Sequence, residues 1–219
     1  IVDALKYNKA RNVMRKIFKD MNINACVYCN AQYLLTYEHN NEKKSTLQVD
    51  HFFDKSKFPC FASSFYNFQP SCPYCNQKKS DNEVLFYMYD NGESGKNPFK
   101  FEANDKDLSN FLLQKGERIE IEFKKNESCT NELFENHKER FHIKEMYNEN
   151  FAELVKKIVV RRLILSEDYR NSLLNSYTSL RKDLNMNYNE VLYGFIDDPE
   201  RIHEEPLSKL KQDIFNQLK

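Results

Sequence analysis

Apolar residues recur at helical steps early in the chain. Ala10, Val13, Met14, Ile17, Phe18 and Met21 follow i, i+3, i+4, i+7 spacing, while Arg11, Arg15, Lys16 and Lys19 fall on the other face. This predicts an amphipathic helix within a leading segment, 1–24. Strand-like stretches follow at 31–38 ("AQYLLTYE") and 45–51 ("STLQVDH"), and the polar run 39–44 reads as the turn joining them. Residues 52–66 form an aromatic loop, read as packing because Phe and Tyr usually bury, with the shaping of a groove as the alternative. A short strand near 67–69 leads to Pro70. A helix is expected from about Pro73, since proline is tolerated in a first helical turn, and it would carry Asn76 and Lys79. The stretch "DNGESGKNP" at 90–98 is turn-rich and closes this region.

The remainder has a different texture. "ERIEIEFKK" at 117–125 alternates like a strand, and from Thr130 the pattern is mostly helical. Phe151, Leu154, Val155, Ile158, Val159 and Leu163 make one apolar stripe; Leu207, Leu210, Ile214 and Leu218 make another, just after Pro206. The expected fold class is α+β, with a leading helix in 1–24, a core over 25–100 and a mostly helical companion region over 101–219.

Composition narrows the class. The 219 residues include 17 Phe and 13 Tyr but only 4 Gly and 6 Pro, which argues against disorder and against a long flexible linker. Mean hydropathy is −0.78, and no stretch approaches the ~18–20 apolar residues of a membrane span. Net charge is zero, with 33 basic and 33 acidic residues. That excludes a protein that coats nucleic acid by bulk charge, so any such contact must be local or shared with a partner. The steepest basic bias lies in the first helix. No secretory apolar region opens the sequence as given, which begins with Ile.

Six cysteines are present, and four sit as two pairs: Cys26 and Cys29, then Cys72 and Cys75, with 42 residues between the pairs. Two C-x-x-C turns can each point both sulfurs one way and together close a tetrahedral zinc site of structural type. Paired cysteines of this kind point to metal binding in a reducing, cytoplasmic compartment. Cys60 and Cys129 have no partner at ligand spacing and read as ordinary thiols. His39, His137, His142 and His203 likewise read as surface or core histidines.

Between and beside the cysteines lie Asp50, His51, Asn67, Asn76 and Lys79. A carboxylate and an amide oxygen suit a hard divalent ion such as Mg²⁺ or Mn²⁺. An adjacent neutral histidine, with an intrinsic pKa near ~6.5, suits proton removal from water. Glu83 reads as a solvated helix residue rather than a further metal ligand. Successive strand residues face opposite ways, so for Asp50 and His51 to serve one phosphate the strand is expected to bend, bulge or end there.

The pattern C-x-x-C … D-H … N … C-x-x-C-N-x-x-K over Cys26–Asn82 resembles the HNH endonucleases. The resemblance implies a ββα-metal nuclease core braced by zinc, acting on DNA. By motif position it makes His51 the general base and Asp50 and Asn76 the ligands of a catalytic divalent ion. Asn67 becomes the central Asn that ties down the loop and orients the histidine, and Lys79 the basic residue near the scissile phosphate. "KSDN" at 79–82 is also similar to the end of the motif in RNA-guided DNA nucleases. Ser80 departs from it, standing where many members have Gly. Arg11, Arg15, Lys78 and Lys79 are the residues expected to meet nucleic acid. A weaker resemblance, to the HNH subunit of Septu-like antiphage systems, implies a defence role beside an ABC/SMC-like ATPase partner. The competing class is a noncatalytic zinc module that binds nucleic acid or protein. It would need the cysteines but not Asp50, His51 and Asn76 together.

Overall fold

The computed structural model describes residues 7–40, 42–82, 99–126, 130–176 and 188–218. Lys6, Glu83, the turn-rich 90–98 stretch and Cys129 lie outside them. The described chain is α+β, built from helices and three two-stranded antiparallel sheets.

Helix α1 (Tyr7–Asp20) buries Met14 and Phe18, while Val13 and Met21 are exposed. Its apolar stripe is therefore narrower than the sequence pattern predicts. Arg11 and Arg15 are half-buried, whereas Lys16 and Lys19 are exposed.

The strands at 31–51 pair differently from the expected single hairpin. β1 (Thr36–His39) pairs with β2 (Glu42–Ser45), which occupies most of the predicted turn. The reversal is short, with Asn40 in the left-handed region at φ 51°. Tyr37, Glu38 and His39 are exposed, so β1 has no buried face to impose apolar alternation. Ser45 and Thr46 hydroxyls bond the Leu35 backbone and hold the strand ends together.

β3 (Gln48–His51) pairs instead with β4 (Phe68–Ser71), in the register Asp50 opposite Gln69 and His51 opposite Phe68. The register is regular through Asp50 and His51, and β3 ends at His51. Helix α2 (Pro73–Lys79) follows at once, with Cys72 as its N-cap and Pro73 in its first turn. Two antiparallel strands and a helix thus enclose the proposed site residues.

Strand β5 (Phe99–Ala103) pairs with β6 (Ile121–Lys125) and spans the expected boundary at 100/101. Helix α3 (Asp105–Leu112) is capped by the Asn104 side chain. Helices α4 (Asn131–Phe141) and α5 (Ile143–Ile164) meet at His142, which adopts the left-handed conformation. Then come α6 (Glu167–Ser176), α7 (Tyr188–Tyr193) and α8 (Ser208–Gln217). Both edges of the β5–β6 sheet are closed by helix side chains. Asp213 and Gln217 of α8 accept from the backbone N–H groups of Phe101 and Ala103, and Asn148 of α5 bonds both polar groups of Ile121. These contacts satisfy edges that would otherwise offer unpaired donors.

One hydrophobic cluster runs through all three expected regions, from Met14 and Phe18 through the cysteines to Phe101, Tyr147, Leu210 and Ile214. Residues 101–219 are therefore not a separately cored companion. Along α5 the stripe holds for Val155, Ile158 and Val159, but Leu163 is 62% exposed.

Candidate metal centre and the polar cluster beside it

The first cysteine pair sits on a turn that ends at Asn30, whose φ of 49° lets its N–H return to the Cys26 carbonyl at 2.8 Å. The second pair bridges the start of α2. Val27 N–H bonds the Pro70 carbonyl and so pins the first turn to β4. All four sulfurs lie within 4.8 Å of one another, and all four cysteines are buried. Tetrahedral zinc–thiolate bonds of about 2.3 Å place sulfurs about 3.8 Å apart, so the four cysteines are placed to bind a metal such as zinc. Backbone N–H groups point at three of the sulfurs: Cys72 N to Cys26, Cys75 N to Cys72, and Ala31 N to Cys29. Such bonds stabilise thiolates. Burial pushes the Cys26 thiol well up, while hydrogen bonds from Cys26, Cys29 and Cys75 pull Cys72 down and make it their shared acceptor. Cys60 is exposed and takes no part.

The C-terminal helices fasten the first cysteine turn from behind. His137 donates from Nε2 to the Tyr28 carbonyl at 2.9 Å, and the Tyr147 hydroxyl donates to the Cys29 carbonyl at 2.6 Å. The Asn30 side chain reaches the Ile202 carbonyl and accepts from Lys209 N. His137 is fully buried. Desolvation lowers its pKa to about 4, against the opposing effect of the Tyr28 carbonyl.

Tyr28 also faces the polar cluster. Its hydroxyl donates to Oδ2 of Asp50 at 2.6 Å, and its ring stacks on Phe141. Lys79 approaches the same carboxylate from α2, with Nζ 3.6 Å from Asp50 Oδ2 and 2.6 Å from the His51 carbonyl. Burial raises the Asp50 pKa, while Lys79 and the Tyr28 hydrogen bond oppose that rise.

This geometry changes the expectation for Lys79. It is fully buried, and its ammonium is committed to Asp50 and the strand end. From there it braces the cluster. Lys78 is exposed, with its ammonium over the Tyr74 ring at 5.9 Å. Asn76 is half-buried, and it lies three residues before Lys79, so helical spacing puts both on one face of α2. The Asn76 side chain makes no hydrogen bond to a described residue. Arg11 and Arg15 are half-buried on α1, and Arg15 donates from Nη1 to Asn12 Oδ1 at 3.4 Å.

His51 is buried at the end of β3, with Nε2 3.0 Å from the Ala62 carbonyl. A carbonyl only accepts, so the proton sits on Nε2 and Nδ1 is the basic nitrogen. Burial lowers the histidine's pKa, the Ala62 contact opposes this, and Lys55 lowers it further. Asn67 ties the loop as expected of it. Its Oδ1 accepts from Phe53 N at 2.7 Å, and its Nδ2 donates to the Phe53 and Phe61 carbonyls.

The loop itself is not the packed element expected. Phe53, Phe58, Phe61, Phe65 and Tyr66 are 39–65% exposed. Phe53, Phe58 and Phe61 lie 5.6–6.4 Å apart by centroid, Phe53 also meets Phe52 edge-on at 5.0 Å, and Phe65 meets Tyr66 edge-on.

Sequence spacing did not point to Tyr28, His137 or Tyr147 as site residues. The only available signal was the position of Tyr28 between two cysteine ligands. No protein-family model, no curated protein and no solved structure matches the chain. Among the described residues, no helix is long and apolar enough to cross a membrane.

Proposed function

We propose that the chain is a metal-dependent endonuclease of the HNH type, with β3, β4 and α2 as its ββα-metal core and structural zinc on Cys26, Cys29, Cys72 and Cys75. The observation that carries the reading is the cluster at the end of β3: Asp50 held through Oδ2 by Tyr28 and Lys79, and His51 with its ring on the Ala62 carbonyl and its own carbonyl on Lys79, three residues after Asn76 on α2.

The residues fit a hard divalent ion such as Mg²⁺ or Mn²⁺. Asp50 and Asn76 offer oxygen ligands, with the Asp50 carboxylate held by Tyr28 and Lys79 at Oδ2 and by the His51 backbone N–H. When bound, the ion would neutralise charge on the phosphate and the leaving oxygen. His51 supplies the base. Its lowered pKa keeps the ring neutral near pH 7, and the Ala62 carbonyl directs the basic lone pair to Nδ1, which takes the proton from the attacking water. Asn67 holds residues 53 and 61 in place and so keeps the Ala62 carbonyl against the ring. Through the weaker resemblance the reading extends to a DNA-cutting effector of antiphage defence working beside an ATPase.

The test is supercoiled plasmid incubated with protein and Mg²⁺ or Mn²⁺, beside His51→Ala protein of equal zinc content. Metal-dependent cutting by the wild type alone is expected. No metal-dependent cutting, or equal cutting by both, would sink the nuclease reading for this chain alone and favour the noncatalytic zinc module.

A further inference from the structure

We infer that the exposed aromatic loop 52–66 is a stacking platform for unpaired bases, so that the substrate is single-stranded or locally melted nucleic acid. The placement beside His51 rests on the nuclease reading; the binding itself does not.

Large exposed apolar groups are ordinary when scattered, but a contiguous patch marks a binding surface. Here five rings crowd into 15 residues, each 39–65% exposed. The loop is also firmly held. Asn67 bonds the backbone of Phe53 and of Phe61, and His51 bonds the carbonyl of Ala62, the residue after Phe61. The rings are therefore displayed at a set position relative to the histidine. Phe53 is two residues past His51, so their Cα atoms are within about 7 Å, which matches about two nucleotide steps of 3.4 Å.

The chemistry of the rings selects the occupant. Phenylalanine has no donor or acceptor with which to read a base edge in a groove, whereas every base has a face on which a ring can stack. In a duplex those faces are covered by neighbouring bases; in single strands they are open. Lys55 and Lys57 are interleaved with the rings and are exposed, as a phosphate backbone requires and an apolar protein partner does not. Lys57 is held toward Asp81 by a 3.4 Å ion pair, and Lys55 acts with Lys79 as a cation on His51.

Binding is measured by fluorescence anisotropy with full-length His51→Ala protein, so that no probe is cut. The probes are an oligothymidylate of about 15 nucleotides, near the upper size of a single-strand site, and a blunt duplex of equal length. Phe58→Ser and Tyr66→Ser, checked for zinc content and circular dichroism, each weaken oligothymidylate binding about fivefold to a hundredfold. They leave duplex binding nearly unchanged. Lys55→Gln lowers the salt dependence by about 0.7 in the log–log slope, one phosphate contact. Tighter binding of the duplex, or oligothymidylate affinity unmoved by the ring substitutions, overturns the platform. So does a concentration-dependent dimer that Phe58→Ser dissolves, since the patch is then a self-interface. Ring-dependent binding without cleavage in any metal would retain the platform and remove the nuclease reading. Cleavage by the wild type with ring-independent binding would do the reverse.

Discussion

The hydroxyl of Tyr28, which lies between two cysteines of the metal centre, donates a 2.6 Å hydrogen bond to the carboxylate of Asp50. One buried phenol thus joins the cysteine cluster to the proposed catalytic carboxylate. Tyr28→Phe keeps the ring stacked on Phe141 and removes only that donor. A hydrogen bond to a charged group contributes about 1.5–3 kcal/mol. The variant should retain zinc and lose about tenfold or more in cleavage rate, with a raised Mg²⁺ requirement that excess Mg²⁺ partly restores. Rates titrated against Mg²⁺ decide this; an unchanged metal profile sinks the positioning role.

The cysteines divide by place. Cys75→Ser removes a ligand from a buried set, and structural zinc sites in peptides supply an apparent ~10–16 kcal/mol that is coupled to folding. Elemental analysis should show zinc lost and thermal melting should show a sharply lower Tm. Cys60→Ser, at an exposed thiol, should change neither.

Acid should destabilise the fold through His137. Its folded pKa is depressed from 6.5 to about 4 by burial, so between those values the unfolded chain binds a proton that the native chain does not. The stabilisation is fully present above pH 6.5 and is lost as pH falls toward 4, by about 3 kcal/mol in total. His137→Phe suits a site lined by Phe99, Phe123 and Phe141. It should cost about 1 kcal/mol at neutral pH, because the Tyr28 carbonyl loses its donor. Between pH 6.5 and 4 its denaturation free energy should fall less steeply than that of the wild type, by about one proton's slope. Parallel curves would show that His137 does not titrate in this window.

Ser80 closes α2 with φ 51° and ψ −122°, a conformation that side chains resist and glycine adopts freely. Ser80→Gly should raise stability by about 1 kcal/mol, read from the urea midpoint at constant slope. A lower midpoint would mean that the serine's own contacts outweigh the relief of backbone strain.

Much of the site was legible because its signals are local. Two C-x-x-C turns bring their sulfurs together through short-range backbone geometry, and Pro73 marked the start of the helix that carries Asn76 and Lys79. The stripe through Leu210 and Ile214 was readable because burial repeats with the helical period. The β1–β2 hairpin was not, because a strand such as β1, without a buried face, has no reason to alternate.

By itself the sequence determined the candidate ligand set and the helix after Cys72, since each C-x-x-C pair and Pro73 is a local signal of residue type and spacing. Tertiary structure alone decided what those residues face. A lysine's type does not say whether its ammonium points to solvent; the contact of α2 with β3 turned Lys79 inward onto Asp50 and the His51 carbonyl. The same long-range packing set His137 and Tyr147, more than a hundred residues away in sequence, against the backbone of the first cysteine turn. It also set Phe52 against the core while leaving Phe53, Phe58, Phe61, Phe65 and Tyr66 exposed.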